Sequence, residues 1–277
     1  MTPHEYCQQK AAASGSSFYY SFLFLPEDRR RAITALYAYC REVDDVVDEC
    51  SDAAVARMKL AWWRKEVAAA FHGGAQHPVA RALAEIAPRY EITEERLNEI
   101  ITGMEMDLDY NRYPDFATLK LYCHRVAGVV GLLSAGIFGY QDPRTLEYAA
   151  DLGFAFQLTN IIRDVGEDAR RNRVYIPLDE LAQHGVAADE IVHGRESERF
   201  QRLMAFQVER AMAAYDRAFE KLPAVDRRQQ LAGIIMAAIY QTLLDEIRAD
   251  GCRVLTRRTS LTPVRKLWIA WRTWIKG

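Results

Sequence analysis

A helix that is apolar on most sides cannot carry a row of carboxylates into a core unless the fold leaves a hollow for them to face. Two stretches of this 277-residue chain impose that condition. In YAYCREVDDVVDE, Tyr37, Arg41, Asp44 and Asp48 fall at offsets 0, 4, 7 and 11, one face of one helix. In FQLTNIIRDVGEDARRNRVYIP, Gln157, Asn160, Asp164 and Asp168 fall at 0, 3, 7 and 11, with Ile161, Ile162 and Val165 around them. Those apolar neighbours place the second helix in a core, so its polar stripe looks into an internal cavity. DDVVD alone also fits a solvated face with pairs such as Arg41 and Asp45. Two matched stripes on apolar helices are hard to obtain that way.

The remaining sequence reads as helices. PEDRRRAITALYAYCREVDDVVDEC starts with a proline and two acids, which suit a first helical turn. Further helical stretches are expected at 53–72, 93–111, 116–139, 143–167, 196–221 and 224–250. Gly73-Gly74, Pro88, Pro114, Asp142-Pro143, Pro177 and Pro223 punctuate them. No strand alternation, flexible linker or fixed-period repeat stands out. The expected organisation is one all-α domain over residues 1–252, followed by a basic, Trp-rich tail over 253–277.

Net charge is −2, but residues 253–277 hold seven Lys/Arg and no acid, which leaves the first 252 residues at −9. Five scattered cysteines without a CxxC pair fit reduced thiols of a cytoplasmic protein, and the first residues lack an export pattern. The charge-free run Val126–Gln141 has 16 residues, short of the roughly 20 that span a bilayer, and reads as a buried helix.

Facing carboxylates in a poorly solvated site cannot all stay ionised without cations. Hard divalent ions answer this: Mg²⁺ binds through a few carboxylates together with substrate phosphates and water. Arg41 and Arg163, each beside an acidic stripe, add donors shaped for phosphate oxygens. The stripes thus point to a metal–diphosphate site.

At this point the chain resembles the squalene and phytoene synthases, head-to-head (1′–1) prenyl transferases. YAYCREVDDVVDE, YCHRVAGVVG and QLTNIIRDVGEDARRNRVYIP carry the resemblance, which runs from SSFYYSFLFLP to the end of the 224–250 helix. The run SSFYYSFLFLPEDRRRAITALYAYCREVDDVVDE looks closest to bacterial presqualene diphosphate synthases of hopanoid pathways. The resemblance implies a class I isoprenoid synthase-type helical bundle around a central apolar channel. It also implies Mg²⁺, with Mn²⁺ as a substitute, farnesyl diphosphate as substrate and no requirement for NADPH. Related activities are squalene synthase with NADPH and phytoene-type synthase on C20 donors; a non-catalytic helical scaffold is a more distant alternative.

Carried over by position, the implied metal ligands are Asp44, Asp48, Asn160, Asp164 and Asp168, with Asp45 beside the first set. Tyr37, Arg41, Gln157, Arg163 and Tyr175 fall on diphosphate-binding or centre-lining positions, and Ser17 and Phe18 on a substrate-contacting flap. The SGS preceding Ser17 departs from the His-Ser-Lys-type pattern of some members, so the resemblance does not carry over a basic phosphate contact there. Tyr122 matches a tyrosine assigned to proton transfer, with a packed core tyrosine as the alternative; His124 reads as structural. Gly128, Gly131, Ala135, Gly136 and Gly139 either leave room for a prenyl chain or let helices pack closely.

The tail segment LTPVRKLWIAWRTWIKG sets Trp268, Trp271 and Trp274 among Arg265, Lys266, Arg272 and Lys276. Such a stretch suits contact with a membrane surface over residues 261–276, peripheral and on the inner face, or packing on the protein's own surface. Downstream squalene-pathway enzymes would be natural partners. No nucleic acid is expected, since no reader motif accompanies the small basic patch.

Overall fold

The computed structural model describes residues 1–14 and 18–276, and among them the secondary structure is helical, with no strand. Ser17, one of the expected flap residues, lies outside the described residues. The helices are α1 (Pro3–Ala13), α2 (Phe18–Phe22), α3 (Glu27–Glu49), α4 (Ala53–His72), α5 (Pro78–Ile86), α6 (Glu94–Asp109) and α7 (Phe116–Cys123). They continue as α8 (Val129–Phe138), α9 (Arg144–Arg170), α10 (Leu178–Gln183), α11 (Ala188–Val192), α12 (Glu198–Lys221), α13 (Leu231–Ala249) and α14 (Pro263–Lys276).

Two apolar clusters build the core. One joins α3–α6 with part of α8, and the other joins α7, α9, α12 and α13. Phe18 and Val126 pack against both, which places them on the seam. The two acidic helices lie on opposite sides of it, α3 in the first cluster and α9 in the second.

Helix α9 is the pillar of the second cluster. Its start is held by Asp226, a fully buried carboxylate that accepts hydrogen bonds from the Gln141 and Asp142 amides (2.7 and 3.0 Å) and from Thr145 Oγ1 (2.6 Å). Asp226 itself sits in a 3₁₀ turn, Ala224–Asp226. The expected 224–250 helix therefore begins only at Leu231. The capping role of Asp226 takes the first residues of that stretch out of the helix.

The apolar run at Val126–Gln141 belongs to something longer than its charge-free length suggests. Residues Phe116–Phe138 form one continuous 23-residue helical segment, which by length and composition alone is long and apolar enough to cross a membrane. Here it packs against α6 and α9, with a π-helical turn at His124–Gly128 where its two halves join. Backbones approach closely on this contact. A Cβ at Gly131 would lie 2.1 Å from the Ala149 carbonyl oxygen, and one at Gly153 would lie 2.2 Å from that of Ala127. Close helix packing thus fixes Gly131, while Gly131 and Ala135 also line the channel described below.

Helices α1 and α5 were not anticipated from periodicity. The first carries a readable start signal, a Thr2–Glu5 capping box followed by Pro3. The tail beyond residue 252 is docked: Val254, Leu255 and Leu261 are buried, and the Leu255 carbonyl lies against Gly166 of α9. Helix α14 then packs on α13 and α2.

Candidate active site

A polar cavity of about 440 Å³ opens at the seam. Its wall includes Phe18 from α2, Tyr37, Arg41 and Asp44 from α3, Tyr122 from α7, and Gln157, Asn160 and Arg163 from α9. An apolar channel of about 170 Å³ continues from it, sharing Phe18, Tyr37, Val126, Gln157 and Asn160 as a neck. It runs between α3, α8, α9 and α13 down to Phe138, Tyr148 and Met236. The neck is aromatic: the Phe18 ring lies 5.8 Å from Tyr37, 5.9 Å from Phe156 and 6.3 Å from Tyr240.

Three of the four aspartates expected as metal ligands, and Asp45 beside them, are turned to arginines. Arg41 binds Asp44 and Asp45 (both 2.5 Å), Arg171 and Arg173 bind Asp48 (3.0 and 2.9 Å), and Arg163 and Arg258 bind Asp164, the latter at 2.9 Å. Among the described residues no three Asp, Glu, His or Cys side chains gather as a metal cluster as they stand. The charges nonetheless show a shared field. Burial pushes Asp44 up to about 7, against the pull of Arg41 and with help from Asp48 and Asp107. Asp168 is pushed up to about 8 by burial and by repulsion from Asp164, Asp107 and Asp48. Burial also raises Asp164, but hydrogen bonding and charge from Arg163 and Arg258 overcome it and hold that carboxyl below its usual range.

Asp107 was not singled out from the sequence. It accepts hydrogen bonds from Tyr122 and Tyr175 (both 2.9 Å) and from Tyr113 (3.3 Å), whose rings stand 5.4–5.5 Å apart. Burial raises it to about 6, opposed by Arg173 and by the tyrosine hydroxyls. A signal was present: Ile100, Gly103 and Met104 are buried, and Asp107 continues their helical stripe. The bridge between Arg112 and Val174 sets Tyr113 beside Tyr175, a pairing that only chain crossing creates.

Tyr122 is buried, with its hydroxyl committed to Asp107, and burial first and Asp107 second keep it well above the usual phenol range. Tyr175 is likewise buried beside Asp107, away from the cavity wall. His124 sits 3.7 Å from Glu99 at the outer side of the π turn. Cations from the tail also reach the site: Arg258 and Lys266 line the polar cavity. Burial lowers the Lys266 ammonium, and repulsion from Arg163 and Arg258 adds to it, so positive charge is concentrated there.

A family model described as squalene/phytoene synthase matches residues 11–265, nearly the whole of this arrangement. The chain belongs to the squalene/phytoene synthase family. It is thus a head-to-head prenyl transferase by family, with the all-α isoprenoid synthase fold. It is 36% identical to phytoene synthase of Arthrospira platensis, over 95% of this chain and 90% of that protein. It is also 36% identical to phytoene synthase 1 of Arabidopsis thaliana, over 95% of this chain but 64% of that longer protein. A dehydrosqualene synthase structure superposes with TM-score 0.88 at 26% identity, covering 98% of this chain and 95% of that one. Squalene synthase HpnC from Alicyclobacillus acidocaldarius follows with TM-score 0.77 at 29% identity, covering 90% and 94%.

Proposed function

We propose that this family member couples two farnesyl diphosphates, 1′ to 1, to presqualene diphosphate, releasing one diphosphate and a proton, in squalene and hopanoid biosynthesis. The observation that carries the reading is the continuous path from a cavity walled by both acidic helices into an apolar channel. One end suits a diphosphate, the other a prenyl chain.

The acidic set fits a divalent ion by its donor chemistry. Asp44, Asp48, Asn160, Asp164 and Asp168 offer oxygen donors, and burial first, with repulsion among neighbouring aspartates adding to it, raises Asp44 and Asp168. These residues would hold Mg²⁺, with Mn²⁺ as a substitute. When bound, the ion supplies Lewis-acid neutralisation of the charge that develops on a departing diphosphate.

The chain's own groups do the rest. Arg41, Arg163, Arg258 and Lys266 face the cavity and stabilise the diphosphate as its C–O bond breaks and the electron pair leaves with oxygen. The allylic cation left at C1 lies by the aromatic neck, where the negative ring faces of Phe18, Tyr37 and Tyr240 favour positive charge. The channel excludes water and holds the alkene of the second donor close, so the cation is captured by carbon. Tyr122 keeps its proton on the Asp107 hydrogen bond, which makes it a positioning group for the pocket wall rather than a base. No reductant enters the coupling, so NADPH is not required for this product.

A second reading has its own support. Relatives at 32–36% identity are named phytoene synthases, which favours a C20 donor, geranylgeranyl diphosphate. Purified protein incubated with each donor and Mg²⁺, with and without NADPH, separates the readings by the mass of the intact product. Presqualene diphosphate irrespective of NADPH supports the first, squalene only with NADPH moves it to reductive synthases, and a C40 product from the C20 donor alone replaces it with the second.

A further inference from the structure

Helix α14 is turned the opposite way from a helix that only packs. The side against the protein holds Ala270, fully buried, with Lys266, Ile269 and Thr273 partly covered. The outer side holds Val264, Trp268, Trp271 and Ile275, at offsets 0, 4, 7 and 11 and therefore in one stripe, with Leu267 and Trp274 next to it. Trp268, Trp271 and Ile275 are 56%, 46% and 57% exposed. A tryptophan buries more apolar area than almost any other side chain, so packing alone would have turned this stripe inward.

Charge identifies what covers it. Residues 253–277 contain seven Lys/Arg and no acid, on a chain whose other residues sum to −9. Arg265 and Arg272 follow each other on α14 seven residues apart, along one edge of the tryptophan stripe, and Arg265 is held by Glu246 at 2.6 Å. An outward apolar stripe bordered by Arg272 and by the Glu246-paired Arg265 matches an anionic lipid surface, where aromatic rings settle at headgroup level and an arginine such as Arg272 meets phosphates.

The position is equally specific. Trp274 stacks on Phe24 at 5.7 Å, just beyond α2, and Phe18 of α2 lies in the neck of the channel. On its inner side α14 contributes Lys266 to the polar cavity. We propose that α14 is an interfacial helix that docks the enzyme on an anionic phospholipid bilayer, with the channel neck next to the membrane so that oily chains pass between them. Binding of this kind requires no turnover and stands whether the donor is C15, C20 or neither.

The test is co-sedimentation of the full chain with vesicles of equal parts phosphatidylcholine and phosphatidylglycerol, and with vesicles of phosphatidylcholine alone. The expected result is binding at least about tenfold tighter to the anionic vesicles, weakening as salt is raised. W268S/W271S, with circular dichroism unchanged, is expected to lose at least about tenfold of that binding. In the unaltered protein, bilayers with brominated acyl chains are expected to quench tryptophan fluorescence. Absence of both sedimentation and quenching overturns the proposal, as does W268S/W271S binding like the parent. So does a self-associating protein that W268S/W271S turns monomeric without vesicle binding, which would assign the stripe to a second copy.

Discussion

Arg173, just beyond α9, donates to Asp48 Oδ1 of α3 at 2.9 Å and to the Val47 carbonyl at 3.1 Å, tying the C-terminal ends of the two acidic helices together. Arg171 adds a second contact to Asp48 at 3.0 Å. Asp48 of the first stripe is thus neutralised by cations that follow the second, whereas Asp44 is paired with Arg41 of its own helix. A carboxylate so paired is available to a metal only by exchanging partners.

Asp48→Asn and Asp164→Asn should each lower kcat by a hundredfold or more, about 2.7 kcal/mol of transition-state stabilisation, while the far-UV circular dichroism stays that of a helical protein. Isothermal titration with Mg²⁺ and a non-reactive diphosphate should show the same variants losing metal-dependent binding. Near-normal turnover in either would remove the metal role of that stripe.

The pH dependence of the metal-free protein has a definite sign. Asp44, Asp107 and Asp168 are raised to about 7, about 6 and about 8 in the folded state, against about 3.9 for an ordinary aspartate. At these three groups the folded protein binds more protons than the unfolded chain, so their contribution makes stability fall as pH rises from about 4 through about 8. With chelator present, Tm should decline across that window, and Asp168→Asn should flatten the upper part of the decline. Mg²⁺ should raise Tm more at about pH 8 than at about pH 5.

Tyr122→Phe and Tyr175→Phe each remove a hydroxyl that donates to Asp107 at 2.9 Å and leave the stacked ring in place. Each should cost about 1.5–3 kcal/mol in urea unfolding, the range for hydrogen bonds to a charged group. Turnover in Tyr122→Phe should fall less than tenfold, because the hydroxyl positions the wall and transfers no proton. A loss as large as that of Asp48→Asn would restore a chemical role for Tyr122.

At the channel floor the Tyr148 hydroxyl is buried without a hydrogen-bond partner among the described residues, 3.2 Å from where a Gly233 Cβ would lie. Tyr148→Phe should be stabilising, by about 1 kcal/mol, since an unsatisfied polar atom is removed at nearly constant shape. Tyr148→Ala should deepen the channel and shift the preferred donor toward longer prenyl chains in direct competition assays. An unchanged donor ratio would place the length-setting surface elsewhere.

Gly153→Ala would put a methyl 2.2 Å from the Ala127 carbonyl oxygen, a contact only backbone movement can relieve. A loss of about 1–3 kcal/mol is expected, read as a lowered urea midpoint.

Much of the protein was legible in its order of residues. Helical periodicity, proline and glycine punctuation, and two carboxylate stripes amid Ile161, Ile162 and Val165 are local patterns, set by the 3.6-residue turn and by the cost of burying charge. Those patterns implied an all-α fold with an internal cavity faced by the polar stripe of α9. They did not show that Arg173 would reach Asp48, that three tyrosines would meet on Asp107, or that Arg258 and Lys266 would fold back to the cavity. Nor did they decide whether the tail's tryptophans face inward or out. Periodicity says which residues share a face but not which way that face is turned. Only the packing of distant segments sets that, since each is oriented by the surface its neighbours leave to be covered.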